Sequence, residues 1–260
     1  MPLLKNRKTQ TLIGLIFLFV TTAANAKGVS PYLPLQTDPL IELELARLAS
    51  ITKMPVLSKP YHAATILKYL DNIRESHPQL HGRIDKYLKR YKKSKSITHA
   101  SASLHFSSNQ NKTLNNKRGQ DINSNYSLSL NSFWQVNKHL IVNGSGRYFE
   151  SGDLIPNNTF ISFGWDVFQI DLGYREHWLS PHQDAAILLS TQAETPFNIT
   201  FSNSKLLTDW NIRYEMSVAL LDKVDGIKYG DEYFSGEPGY LTMSLSIQPI
   251  EGWTLGGNRT

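Results

Sequence analysis

The stretch that decides the fold class is Asp209-Trp-Asn-Ile-Arg-Tyr-Glu-Met-Ser-Val-Ala-Leu220, which alternates between two kinds of side chain. The apolar set is Trp210, Ile212, Tyr214, Met216, Val218 and Leu220, and the intervening set is Asp209, Asn211, Arg213, Glu215, Ser217 and Ala219. A period of two places these sets on opposite faces of a β-strand. Strands of about ten residues with one apolar and one polar face are typical of a transmembrane β-barrel, whose outside meets lipid and whose lumen is polar.

The same alternation recurs through residues 97–260, which we interpret as a series of strands. The predicted strands are 97–107, 124–136, 139–149, 158–166, 170–178, 197–203, 208–220, 239–248 and 252–260. Short and long gaps alternate between them, like the short periplasmic turns and long outer loops of outer-membrane barrels. A soluble β-sandwich also alternates, but its strands are usually about five or six residues long. The sequence therefore predicts a mainly β protein, an antiparallel up-and-down transmembrane β-barrel.

We expect this barrel to be incomplete, with about half of its strands present. Nine strands are an odd number, whereas single-chain bacterial barrels have an even number. The last predicted strand ends Leu255-Gly-Gly-Asn-Arg-Thr260, without a terminal aromatic residue. We therefore expect an open sheet, as in a fragment of a longer barrel, whose first and last strands do not pair with each other.

The expected register predicts different stability costs for substitutions on the two faces of this strand. A charge at Met216, on the lipid face, should cost roughly 2–4 kcal/mol, and a change at Ser217, in the lumen, far less.

The first 26 residues have the three parts of a secretory signal peptide. Three cations (Lys5, Arg7 and Lys8) precede an apolar run from residue 11 to residue 20, and Ala24-Asn25-Ala26 has the small-x-small pattern of a cleavage site. The apolar run is about half of the roughly 20 residues that a membrane-spanning helix needs. We therefore expect residues 1–26 to be a cleaved signal peptide.

Residues 27–96 have helical rather than strand periodicity, and we expect them to form a periplasmic helical bundle. Asp38-Pro39 is a capping pair that predicts a helix to about residue 51, and further helices are predicted over 63–73 and 79–93. The third helix has a basic surface made of Arg83, Lys86, Lys89, Arg90, Lys92 and Lys93. Such a surface is either a solvated helix face or a contact for anionic lipid headgroups or an acidic polymer.

The composition excludes several classes of function. The chain has no cysteine, which excludes disulfides, thiolate metal sites and a cysteine nucleophile. Its isoelectric point near 9.2 suggests a nucleic-acid binder, but the charges are divided unevenly. Residues 27–96 have 13 basic and 6 acidic side chains, whereas residues 97–260 have 11 and 16. An acidic larger part is a poor surface for phosphate backbones, so we expect no nucleic-acid partner.

Patterns for catalysis or metal binding are scarce, and we expect neither an enzyme nor a cofactor or metal site. The sequence has no Gly-rich phosphate loop, no HExxH and no EF-hand loop. His177 and His182 lie near Asp184, but a histidine and a carboxylate near each other in the sequence are weak evidence without further motif residues. Ser180 and Ser190 have no nucleophile-elbow context.

The aromatic residues fall into two groups with different expected roles. Trp134, Trp165, Trp178 and Trp210 lie near predicted strand ends on the apolar face, where an aromatic girdle meets the lipid–water boundary. Tyr229, Tyr233 and Phe234 lie instead in the long acidic connection 221–238. They are better placed to stack on sugar rings outside the membrane.

Three segments resemble a known family. Lys27-Gly-Val-Ser-Pro-Tyr-Leu-Pro-Leu35, Met54-Pro-Val-Leu-Ser-Lys-Pro60 with Ala63-Ala-Thr-Ile-Leu67, and Gly173-Tyr-Arg-Glu-His-Trp-Leu-Ser-Pro181 resemble segments of the capsule assembly protein Wzi family. The resemblance spans residues 28–260. It implies an outer-membrane barrel of about eighteen strands with a periplasmic helical bundle, and lectin-like attachment of capsular polysaccharide at the cell surface. Nine strands are half of that number.

We therefore predict a monomeric, non-enzymatic outer-membrane protein that binds and organises capsular polysaccharide. The predicted polar contacts are Arg175, His177, Lys223 and Lys228, and the predicted stacking residues are Tyr229 and Tyr233. The resemblance supports only Arg175 and His177, for which a hydrogen-bond network inside the barrel is an alternative role. The alternative functions are an outer-membrane porin or transport barrel, which would conduct ions, and a barrel enzyme, which would need a catalytic constellation.

Overall fold

The structure is a computed structural model that describes residues 28–35, 38–106, 124–182, 186, 188–189 and 194–260. The expected signal peptide lies outside the described residues, as do Asp184 and Ser190.

In the described residues, three helices precede the strands. They are α1 (Pro39–Thr52), α2 (Ala63–Asp71) and α3 (Pro78–Leu88), and a 3₁₀ turn over Lys89–Lys92 continues α3. The Asp38 carboxylate caps α1 by accepting a 2.9 Å hydrogen bond from the Leu40 amide, and α1 ends at Lys53 in a left-handed conformation. The predicted helices are confirmed to within a few residues, because capping and apolar periodicity are local signals.

The strands of the described residues form one antiparallel sheet and one separate hairpin. They are β1 (Lys95–Leu104), β2 (Tyr126–Asn137), β3 (Leu140–Phe149), β4 (Leu154–Ile155), β5 (Phe160–Gly164), β6 (Gln169–Gly173), β7 (Asn198–Ser202), β8 (Arg213–Leu220), β9 (Val224–Tyr229), β10 (Glu232–Gly236), β11 (Gly239–Ile250) and β12 (Trp253–Arg259). The sheet order is β1-β2-β3-β5-β6-β7-β8-β11-β12, with β4 paired only to β3, and β9 and β10 form the hairpin. The predicted up-and-down antiparallel arrangement is confirmed. β1 and β12 are the two edges of the described sheet, which is open between them, as predicted.

Several strands are shorter than predicted, among them β5, β6, β7 and β8. The strand predicted over 170–178 ends at Gly173, because the chain then turns towards the helical part, where Lys59 and Trp178 exchange backbone hydrogen bonds of 2.8 and 3.0 Å. The strand predicted from residue 208 begins at Arg213. Before it, Thr208 and Asn211 have positive φ angles of 57° and 48° in a tight turn. Asp209 is exposed in this turn, so its predicted place in the lumen is wrong.

The two faces of the sheet have opposite polarity and opposite exposure. The outer face exposes large apolar side chains, among them Leu128, Leu130, Ile161, Phe163, Leu172, Ile199, Val218, Leu241 and Leu245. The inner face buries polar side chains, among them Ser127, Ser162, Asp171, Thr200, Glu215, Ser217, Thr242 and Ser246. This is the reverse of a soluble β-protein, in which the apolar face is the buried one.

The helices pack against the inner face at one end of the sheet. Tyr91 stacks on Phe133 of β2 with ring centroids 6.0 Å apart, and Phe133 and Ile141 belong to the same buried apolar cluster as the helices. Among the described residues, no helix has the length and apolarity needed to cross a membrane. The shorter connections, such as 138–139, 165–168 and 251–252, lie at this end. Two of them contact the segment that precedes the helices: the Val29 amide donates to the Lys138 carbonyl at 2.9 Å, and the Gly28 amide donates to Asp166 at 2.7 Å.

Candidate functional site

The first of two candidate regions is a buried charge network on the inner face, centred on Arg175. The Arg175 side chain is fully buried, and its Nη2 donates to Glu215 Oε2 at 2.6 Å. Its Nε lies 3.3 Å from Asp171 Oδ2, and its guanidinium carbon lies 4.5 Å from the centre of the Tyr32 ring. The cation is therefore surrounded by two carboxylates and an aromatic face, which compensate for its removal from water.

His177 shares the Glu215 carboxylate with Arg175. Its Nδ1 lies 2.7 Å from Glu215 Oε1, and because a carboxylate oxygen only accepts, Nδ1 donates the hydrogen. Its Nε2 lies 3.2 Å from Thr200 Oγ1. Arg175 and His177 thus hold the chain segment that follows β6 against β7 and β8. In this arrangement the two residues bind other protein groups. They form a hydrogen-bond network inside the sheet, which is the alternative role that the sequence analysis gives them.

Tyr32 brings the N-terminal segment (residues 28–35) into the same network. The Tyr32 hydroxyl donates to Asp171 Oδ2 at 2.8 Å and accepts from Gln169 Nε2 at 3.0 Å. Its ring lies 4.0 Å from that of His62, between centroids. The N-terminal segment therefore occupies the space over β6, where the lumen of an empty pore would be.

His62 is buried and uncharged within this packing. Burial, with the nearby Arg213 cation, lowers the pKa of His62 to about 3. Its Nδ1 lies 3.1 Å from the Ser30 carbonyl oxygen, to which it donates.

We expect the His62 pKa to make folding sensitive to acid. The unfolded histidine binds a proton below about pH 6.5, whereas the folded one does so only near pH 3, so stability is complete above pH 6.5 and falls as the pH drops towards 3. Each pH unit in this window should cost about 1.4 kcal/mol of unfolding free energy. Urea unfolding between pH 7 and pH 4 gives the unfolding free energy as a function of pH. The slope of this dependence should be smaller in the H62F variant than in the wild type by about one proton. An equal slope in the variant and the wild type would contradict this.

The second candidate region is the β9–β10 hairpin, which contains Lys228, Tyr229 and Tyr233, with Lys223 just before β9. The sequence predicts a long loop over residues 221–238. The signal that was missed is Gly230-Asp231 between two strand-like runs, a typical two-residue hairpin turn, with Gly230 at a φ of +64°. Tyr229 is 81% exposed and Tyr233 is 70% exposed, so neither ring is part of the core.

The register of the hairpin places the two tyrosines on opposite faces. Tyr229 pairs with Glu232 and Ile227 with Phe234, so these four residues share one face. Tyr233 pairs with Lys228 on the other face. The first face therefore has an apolar platform made of Ile227 and the two aromatic rings of Tyr229 and Phe234, and the second has one tyrosine beside one cation. The two tyrosines cannot stack on the same sugar ring.

The charge of the hairpin region is negative. Residues 221–238 contain five acidic side chains and two basic ones, a net charge of 2 − 5 = −3. Lys223 and Lys228 are the two cations that the sequence predicts as contacts. The six predicted site residues thus fall into two groups, Arg175 and His177 within the inner network and the other four on the hairpin. Their role in binding polysaccharide stays a prediction.

The tryptophans separate into those at the expected boundary and one in the interior. Trp134 and Trp210 are 55% and 56% exposed, as an aromatic girdle requires. Trp178 is 3% exposed, and its Nε1 donates to the His182 carbonyl at 2.7 Å. The predicted girdle position of Trp178 is therefore wrong, because the chain leaves the sheet at Gly173.

No arrangement for metal binding is found in the part of the chain that the structure describes. There, no group of three or more His, Asp or Glu side chains is placed to hold a metal ion. The Asp184 partner proposed for His177 and His182 lies outside the described residues.

A cleft lies at the helical end, between α1, the loop that follows it and the β11–β12 turn. Its lining includes Leu45, Met54, Tyr61 and Gln248. The cleft is mostly apolar. It lies at the end of the sheet opposite to the β9–β10 hairpin.

The fold is similar to one solved structure, that of Wzi, an outer membrane protein involved in group 1 capsule assembly in Escherichia coli and a carbohydrate-binding β-barrel. The TM-score is 0.64 at 13% sequence identity, and the match covers 89% of this chain and 52% of that chain. The chain thus spans about half the length of the structure it matches. No protein-family model and no curated protein matches the sequence. The resemblance seen in the sequence is supported at the level of the fold.

Proposed function

We propose that this chain is a non-enzymatic outer-membrane protein that attaches capsular polysaccharide at the cell surface. The observation that carries the proposal is the polarity of the sheet, which exposes an apolar outer face and buries a polar inner one. Soluble monomers rarely expose a contiguous apolar face that runs across neighbouring strands. In a lipid bilayer the same face replaces water with acyl chains, so the pattern is favourable there.

The fold likeness supports the carbohydrate part of the proposal. The similar structure, Wzi, is a carbohydrate-binding outer-membrane β-barrel. In this chain the β9–β10 hairpin lies at the end of the sheet opposite to the helices, where a polymer outside the cell would reach it. Its Tyr229 and Phe234 rings offer apolar faces to the C–H surface of a sugar, and Glu232 on the same face offers a hydrogen-bond acceptor.

The filled interior argues against the alternative of a diffusion porin. Tyr32 contacts both Gln169 and Asp171 of β6, and Arg175 is enclosed beside them. A porin has a water-filled lumen lined by polar residues, whereas these polar residues bind each other. We therefore expect no ion conductance in planar bilayers above that of the lipid.

A polysaccharide pull-down tests the proposal and its site. The full-length chain in detergent should be retained on immobilised capsular polysaccharide, and lack of retention by all polysaccharides tried would contradict the proposal. Y229A should weaken retention about tenfold, or ~1.4 kcal/mol, because it removes one of the two aromatic rings of the platform. Y233A, on the opposite face of the same hairpin, is the matched control and should lose less. Equal losses in the two variants would show that the platform is not the site.

A further inference from the structure

A group of exposed lysines lies at the helical end of the sheet. This lysine patch consists of Lys86, Lys89, Lys93 and Lys95 in the region of α3 and β1, and Lys138 in the β2–β3 turn. All five side chains are exposed. The neighbouring cations already have partners, since Lys92 pairs with Asp85 at 2.6 Å and Arg83 with Glu44. Within the described residues, none of the five patch lysines takes part in an ion pair.

The register of β1 places the patch at the edge of the apolar outer face. Lys95 is paired with Trp134 of β2, so both side chains are on the same side of the sheet. Trp134 is 55% exposed, and Ile97, the next outward residue of β1, is 65% exposed. Lys95 therefore lies where the apolar face ends, beside a tryptophan of the kind found at the lipid–water boundary.

A lysine in this position has a natural partner in a bilayer. Its aliphatic stem can lie along apolar surface while its ammonium group reaches the headgroup layer. The remaining patch lysines lie in α3, in the segment between α3 and β1, and in the β2–β3 turn, at the helical end of the sheet. Clusters of lysine next to a membrane surface attract anionic lipids.

We infer that the lysine patch binds the phosphates of anionic phospholipids in the leaflet that faces the helical part. The inference rests on the proposed membrane location and adds a lipid specificity to it. The basic surface of α3 has two candidate partners, anionic lipid headgroups and an acidic polymer, and the inference selects the lipid. An acidic polymer would need only an exposed basic surface, whereas the pairing of Lys95 with Trp134 at the end of the apolar face favours lipid.

Fluorescence quenching by brominated lipids tests the inference. The full chain is reconstituted into vesicles that contain brominated phosphatidylcholine or brominated phosphatidylglycerol at the same lipid-to-protein ratio. The chain has five tryptophans, so the W134F variant is measured in parallel and the difference is assigned to Trp134. We expect brominated phosphatidylglycerol to quench Trp134 at a several-fold lower lipid fraction than brominated phosphatidylcholine.

Paired variants separate the patch from general charge effects. The double variant K93Q/K95Q should reduce the preference for phosphatidylglycerol roughly tenfold, because it removes two of the five patch charges. The matched control K68Q/R74Q also removes two cations from the helical part, but away from β1, and should leave the preference unchanged. Since all four side chains are exposed, we expect both variants to fold.

The possible outcomes distinguish the two proposals. If neither brominated lipid quenches Trp134, the membrane location itself is wrong. If both lipids quench it equally, or if K93Q/K95Q keeps the preference, the location stands and the lipid site is refuted. If soluble polyglutamate abolishes the preference and binds the chain equally well without anionic lipid, the partner of the patch is an acidic polymer, which also refutes the lipid site.

Discussion

Replacing Glu215 with alanine is expected to lower the free energy of unfolding by about 3–5 kcal/mol. The variant leaves Arg175 buried with only Asp171 as a charged partner, at 3.3 Å. It also removes the acceptor of His177 Nδ1, which lies 2.7 Å from the carboxylate. Breaking a buried ion pair costs more than the pair contributes, because the remaining charge has no water to replace its partner. This is the largest effect that we expect from a single substitution in the described sheet.

Urea unfolding followed by tryptophan fluorescence in detergent micelles measures the effect. The matched control is E251A, which removes a carboxylate that is 76% exposed and pairs with Lys53 at 3.4 Å. Exposed pairs contribute about 0–1 kcal/mol, so E251A should change little. E215Q should lie between the two, because the amide still accepts a hydrogen bond but has no charge. If E215A and E251A destabilised equally, the inner network would not hold the sheet together.

The second large effect is expected from a charge on the outer face. M216R should cost roughly 2–4 kcal/mol if this face meets lipid. Met216 lies in the middle of β8, and its neighbours in the adjacent strands are Phe201 and Met243. An arginine there has no nearby polar layer to reach. In water, a substitution of a partly exposed side chain would usually change stability by less than about 0.5 kcal/mol.

The control for M216R is the same substitution on the same face and strand at a different depth. Leu220 ends β8 and is 66% exposed, and a charge near the interface should cost about 0–1 kcal/mol. Unfolding free energies of M216R and L220R in lipid vesicles therefore should differ by a few kcal/mol. Equal and small losses in both variants would argue that the outer face meets water.

Ser217 is not the tolerant inner-face position that the alternation of the sequence suggests. It is 2% exposed, and its hydroxyl accepts a 3.0 Å hydrogen bond from Thr200. A polar lumen tolerates substitution only where water or space is available. Here the interior is filled, so S217R should also be destabilising.

The sequence by itself determined most of the helices and sheet strands of this protein and the polarity of each face, but not the β9–β10 hairpin. The period of two in residues 209–220 required a two-faced strand, and the capping pair Asp38-Pro39 predicted the start of α1. Such signals are local, since each depends on residues within a few positions of each other. They also predict the order of the sheet, because strands that follow each other in the sequence usually pair with each other.

The use of the inner face was decided only by the tertiary structure. Tyr32 meets Asp171 across 139 positions of the chain, and Arg175 meets Glu215 across 40. Alternation indicates that these side chains point inward, but not whether they meet water, a ligand or each other. Those contacts depend on where residues 28–35 and the segment after Gly173 come to lie. Their positions follow from the requirement that buried charges and hydroxyls find partners once water is excluded.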